Sequence, residues 1–198
     1  MKKLLYIDCC IRENSRTKRI ANSFFGALAH KFDIETVDLN ALDLRPLNAE
    51  RLALREKAQL GDPLFQLAKQ FATAQVIVIA APFWDMSFPA LLKTYFENIS
   101  VAGVTFGADE SGYFGGLCHA ETLLYFTTRG MEIEDGSELE QASPYLHALR
   151  AFFGIGGLEI LSAFGLDEVS PEEAERRLVD AENRAKQLAR KISSYDYL

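Results

Sequence analysis

The sequence predicts an α/β fold: one doubly wound, mostly parallel sheet of five strands in the order 2-1-3-4-5, with helices on both faces. Two patterns carry that prediction. Five short apolar runs alternate with five stretches of helical period, as successive strand–helix–strand units require. Two of the runs, 76–81 and 122–127, are almost continuously apolar, which marks strands covered on both faces. The 198 residues contain no internal repeat, low-complexity tract or Pro/Gly/Ser-rich linker, so a single domain over 1–198 is expected.

The elements follow in order. Strand one covers 4–7 and stops at Asp8, and the helical stretch 16–31 follows a polar loop. Strand two is 34–39. Residues 44–62 are longer than a usual connection and hold a charged, Leu/Ala-rich piece, 50–60, that reads as a short added helix. A helix over 63–73 leads to strand three, 76–81, where Pro82 stops further extension. Helix 88–98, strand 122–127, helix 144–153 and strand 158–164 continue the alternation. The last helix, 171–192, is the clearest: Pro171 sits in the first turn behind Ser170 as N-cap, with Leu178, Ala181, Ala185, Leu188 and Ile192 as its apolar stripe.

Composition narrows the function. Twenty-one basic against 28 acidic side chains give a net charge of -7, which argues against nucleic acid or an anionic membrane as partner. Three cysteines make no disulfide framework, and three histidines share no metal-ligand spacing. The apolar start is cut by Asp8 after four residues, too early for a signal peptide or a membrane span. A soluble, cytoplasmic protein without a metal is expected.

In such sheets ligands bind beyond the carboxyl ends of the strands, where strand order reverses, here between strands one and three. The loop after strand one has neither a Gly-x-Gly-x-x-Gly nor a Gly-Lys-Ser/Thr phosphate loop. It does place Ser15 and Thr17 at a helix start, where unpaired amides bind phosphate, although Asn14 or Ser15 serves equally as a plain N-cap. Cys10 and Arg16-Thr17 also satisfy the Cys-x5-Arg-[Ser/Thr] spacing of phosphotyrosine phosphatases. Against that reading stand Glu13 inside the loop and the lack of an Asp-Pro-aromatic segment for the general acid. After strand three, Phe83, Trp84, Met86 and Phe88 crowd a loop that must lie near the surface, as a ligand wall or a partner interface would.

Together these loops resemble the FMN-dependent NADH-azoreductase and NAD(P)H-quinone dehydrogenase family, with its flavodoxin-like fold. The resemblance runs through Val-Ile-Val-Ile-Ala-Ala-Pro at 76–82, Leu-Lys-Thr-Tyr-Phe at 92–96, Ala-Gly-Val-Thr-Phe at 102–106, Gly-Gly-Leu at 115–117 and Thr-Arg-Gly at 128–130. It implies an oxidoreductase that takes hydride from NADH or NADPH onto FMN and passes two electrons to a quinone or azo compound. It implies that Cys10, Ser15, Arg16 and Thr17 surround the FMN phosphate. Phe83, Trp84, Asp85 and Met86 would lie along the ring, and Thr128, Arg129, Gly130 and Met131 near its pyrimidine edge. Amides of the 129–130 loop would then stabilise charge on the reduced ring. The chain departs from the family in having Cys10 for a serine, Asp85 for an asparagine and Met131 for a glycine. The stretch 104–117, with Phe106, Tyr113 and Phe114, reads as a flap over the flavin or as an exposed connection. A homodimer is implied, each site completed by the other subunit, with the helices at 88–98 and 144–153 as candidate interface. A flavodoxin-type electron carrier is the alternative with the same cofactor.

Overall fold

The computed structural model describes residues 1–108, 111–112 and 114–194; Tyr113, one of the three flap residues, falls outside them. Five strands, β1 (Lys2–Asp8), β2 (Phe32–Asp38), β3 (Val76–Ala80), β6 (Thr122–Thr128) and β7 (Gly157–Ala163), form one parallel sheet in the order β2-β1-β3-β6-β7. Counted along the chain, that is the 2-1-3-4-5 order. Strands β4 (Phe106–Ala108) and β5 (Phe114–Gly116) make a separate antiparallel hairpin inside the stretch read as a flap.

Side-chain alternation along each strand divides the core into two layers. Leu5, Ile7, Ile77 and Ile79 face α3 (Gln66–Thr73), α4 (Ala90–Ile99) and α5 (Ala142–Phe153). Leu4, Tyr6, Val76 and Val78 face α1 (Arg16–Ala27) and α6 (Pro171–Ser194). From α1, Ile20 and Phe24 are fully buried in the second layer, each contributing about 1.5–3 kcal/mol by removal from water.

Several elements differ in detail from expectation. Helix α1 ends at Ala27 instead of continuing to 31, because Leu28 turns extended (ψ 135°) to start the return into β2. In α6 the buried stripe takes Ala189 rather than Leu188, which only packs against its edge. The added helix is α2 (Ala49–Lys57), capped by Asn48; none of its residues is buried. Among the described residues, no helix is long and apolar enough to cross a membrane.

Candidate active site

A cavity of about 400 Å³ opens at the carboxyl edge of the sheet, where the loops after β1, β3, β6 and β7 meet. The β1 loop contributes Ile11, Arg12, Asn14, Ser15, Arg16 and Thr17 to its wall. Its path is set from below by Asp8, whose buried carboxylate accepts from the Cys10 amide at 2.9 Å and pairs with the Lys18 ammonium at 2.7 Å. Ser15 is the N-cap of α1 and accepts from the Lys18 amide at 3.2 Å. The Arg19 amide bonds the Ser15 carbonyl, so the amides of Arg16 and Thr17 remain without an intrahelical acceptor at the positive end of the helix. Thr17 is buried, and its hydroxyl lies 2.7 Å from that of Thr128. That contact ties the start of α1 to the end of β6.

Pro82, Phe83 and Trp84 form the apolar wall. The chain beyond β3 stays paired to β6, the Phe83 amide donating to the Thr128 carbonyl at 3.1 Å, and then reverses in a two-residue turn. Trp84 and Ser87 exchange both amide–carbonyl bonds, at 3.0 and 2.9 Å, around Asp85 (φ 50°) and Met86 (φ 61°). Two successive positive φ values make this a type I′ turn, a geometry that aspartate tolerates and methionine does not favour. The left-handed conformation costs roughly 1–2 kcal/mol at a non-glycine residue, against roughly 0.5–1 kcal/mol for ordering a glycine. Met86→Gly is therefore expected to stabilise the protein by about 0.5 kcal/mol, read as a higher urea midpoint with unchanged slope.

The third wall is Thr128, Arg129 and Gly130, facing Asp167 from the loop after β7. The two loops are zipped together by backbone: Leu166 donates to Arg129 at 3.2 Å, Asp167 to Gly130 at 2.9 Å and Gly165 to Met131 at 2.8 Å. The Arg129 amide is itself consumed by the Ala163 carbonyl at 2.9 Å. Of the two amides expected to face the ligand, only that of Gly130 lacks an acceptor among the described residues. The Arg129 side chain is 1% exposed. Its guanidinium lies between the rings of Phe83 (5.1 Å) and Phe164 (5.8 Å) and bonds the Ile133 carbonyl and the Asp135 carboxylate.

Eight of the expected cofactor residues thus line one cavity: Ser15, Arg16, Thr17, Phe83, Trp84, Thr128, Arg129 and Gly130. Four do not. Cys10 is buried with its thiol 3.6 Å from the Ala80 carbonyl, because its strand-end position turns it into the core. Burial pushes that thiol up to about 12, which together with its inward position argues against a phosphatase-type thiolate. Asp85 and Met86 occupy the turn beyond the wall, and Met131 follows the last lining residue. Ile11, Arg12, Asn14, Pro82 and Asp167 complete the lining and were not among the expected cofactor residues.

The two described flap residues, Phe106 and Phe114, lie elsewhere. The β4–β5 hairpin and the chain after it pack at the opposite edge of the sheet, where Cys118 donates to the Phe153 carbonyl at the end of α5 and Glu121 to the Gln75 carbonyl ahead of β3. Phe106 stacks near Phe152 at 4.7 Å, and Phe114 is 65% exposed. Neither covers the cavity of its own chain, because α4 carries the chain away from the site before the hairpin forms.

A family model described as a flavodoxin-like fold matches residues 2–189. An FMN-dependent NADH:quinone oxidoreductase of Coprothermobacter proteolyticus is 34% identical over 202 residues, covering 97% of this chain and 100% of the relative. FMN-dependent NADH:quinone oxidoreductase 2 of Clostridium acetobutylicum is 33% identical with the same coverage. An FMN-dependent NADH-azoreductase from Bacillus anthracis, solved in complex with FMN, has a TM-score of 0.80 at 23% identity, over 98% of this chain and 100% of its own; at that identity the likeness is one of fold. The chain belongs to the flavodoxin-like family that includes these FMN-dependent NADH:quinone oxidoreductases.

Proposed function

We propose that the chain is an FMN-dependent oxidoreductase that draws hydride from NADH or NADPH and passes two electrons to quinones or azo compounds. One observation carries the reading: a phosphate-type helix start and an aromatic wall share a single cavity, in a chain whose full-length relatives bear that activity in their names. Its size, about 400 Å³, falls in the range of roughly 300–1,000 Å³ usual for small-molecule sites. FMN fits the donor set. The amides of Arg16 and Thr17, the Ser15 hydroxyl and the Arg16 guanidinium suit a phosphate monoester. Phe83 and Trp84 suit the flat ring, and the Gly130 amide offers a donor for a ring heteroatom or carbonyl.

Bound there, FMN supplies hydride acceptance from the nicotinamide and two-electron delivery to the acceptor. What the chain itself provides is orientation and aimed dipoles. Thr17 and Thr128 fix the two loops relative to each other, Arg129 backs the Phe83 ring, and no side chain is required as catalytic acid or base. The visible spectrum of purified protein tests the reading. Flavin bands that bleach with NADH and return with menadione are expected. Bands without quinone turnover would indicate an electron carrier, and failure to take up FMN would sink the proposal.

The Gly130 donor has its own test. Gly130→Ala and Gly130→Pro both add a Cβ, which would meet the Asp167 carboxylate at 2.1 Å, but only proline removes the N–H. A hydrogen bond to a charged acceptor contributes roughly 1.5–3 kcal/mol. The proline variant is therefore expected to have a flavin midpoint potential roughly 30–65 mV below the alanine variant. Equal potentials would assign no such role to this amide.

A cytoplasmic homodimer completes the proposal. The exposed Phe114 and the hairpin's distance from its own cavity support a flap that acts on the partner's site. A monomer in sedimentation at micromolar concentration would refute it.

A further inference from the structure

We propose that Asp167 is a specificity-determining residue that competes with the FMN phosphate for Arg16, so that the cofactor binds less tightly than it would with a free guanidinium at the helix start. The inference rests on the FMN reading above. Arg16 lies in the first turn of α1 and Asp167 in the loop after β7, yet both line the cavity, with Nη1 and Oδ1 2.6 Å apart. Asp167 has little backbone freedom, since its amide is bonded to the Gly130 carbonyl and that of Leu166 to the Arg129 carbonyl. Its other carboxylate oxygen rests on the bare backbone of Gly130, within 2.1 Å of where a Cβ would stand. A side chain at 130 would push the carboxylate off, so the glycine admits it to the cavity wall.

The charges at this end then sort themselves. Lys18 is committed to Asp8 at 2.7 Å, and Arg16 is neutralised by Asp167. A phosphate monoester settling on the α1 amides meets a guanidinium already bonded to a carboxylate. It must displace that carboxylate or share the guanidinium with it, and in both cases part of the guanidinium's hydrogen bonding is withheld from the phosphate. Riboflavin, which has the same ring and no phosphate, makes no such demand. The pair therefore discriminates on the phosphate and is indifferent to the ring. Because both side chains are partly exposed (44% and 66%), solvent screening keeps the effect modest.

Quenching of flavin fluorescence, titrated with the full-length chain stripped of flavin, reads it directly. Asp167→Asn and Asp167→Ala are both expected to tighten FMN binding by roughly two- to fivefold and to leave riboflavin affinity unchanged. Two variants guard against a chance contact from the new amide. Arg16→Gln should weaken FMN binding, and in its background Asp167→Ala should bring little further gain, because the carboxylate then holds nothing. Unchanged or weaker FMN binding in both Asp167 variants would overturn the proposal. So would an equal gain for riboflavin, or a gain that survives intact in the Arg16→Gln background. Wild-type protein that quenches neither flavin would instead remove the FMN reading itself.

Discussion

Arg129→Ala is expected to lower stability by about 3 kcal/mol and to weaken FMN binding, although its guanidinium is assigned no bond to the cofactor. The side chain is buried, and Phe83, Phe164, the Ile133 carbonyl and Asp135 are arranged around it. Truncation leaves a void between two rings and an unpaired carbonyl. It also releases Asp135, whose other oxygen accepts from the Ser162 hydroxyl at 2.5 Å. Asp135 is itself 45% exposed, so water takes over part of its solvation and the loss stays below that of a fully buried pair. For a chain of this length, 3 kcal/mol corresponds to a fall in Tm of roughly 6–12 °C. Arg129→Lys should recover less than half, because an ammonium has no planar fork to bond Ile133 and Asp135 while stacked between aromatic faces. The link to binding runs through Phe83: without the guanidinium behind it, that ring is no longer fixed as cavity wall. Thermal unfolding and flavin titration measured together check both parts. A stable variant with loose flavin would mean that Arg129 touches the cofactor itself.

How far this site could be read before folding depends on what positions each residue. The five sheet strands are legible because burial on both faces forces apolar runs such as Val76–Ala80, and their carboxyl ends then point to Ser15, Thr17, Phe83 and Trp84. Thr128 and Gly130 carried no signal of their own outside the family resemblance. Asp167 carried none at all, since backbone bonds between two loops bring it to the cavity and leave no mark in side-chain pattern. Arg129 shows the opposite failing. The resemblance offers its amide to the flavin, yet the Ala163 carbonyl takes that amide and two aromatic rings far apart in sequence hold the side chain inward. Strands of three residues containing glycine have no period to detect, so the β4–β5 hairpin was invisible as structure.

That hairpin yields the other large effect. Gly116→Ala would set a Cβ 1.9 Å from the Phe153 carbonyl carbon and 2.0 Å from the Gly154 nitrogen. Both are backbone atoms, so no rotamer change relieves the clash. The reciprocal position is equally closed: Gly154 caps α5 at φ 74°, and a Cβ there would lie 2.9 Å from the Gly116 carbonyl oxygen. Two glycines thus let a strand lie directly on a helix end, and the hairpin must lift if either gains a side chain. The expected cost is about 2 kcal/mol, within the range for overpacking. Hydrogen exchange should localise it, with the Cys118 amide losing protection while β3 and β6 keep theirs. Because the hairpin lies at the far edge of the sheet from its own cavity, FMN affinity should change less than twofold. If the hairpin instead covers the site of a second subunit, the variant should raise KM for the quinone severalfold. Loosened flavin binding with unchanged KM would contradict that arrangement, since it would mean that the hairpin supports the cavity of its own chain.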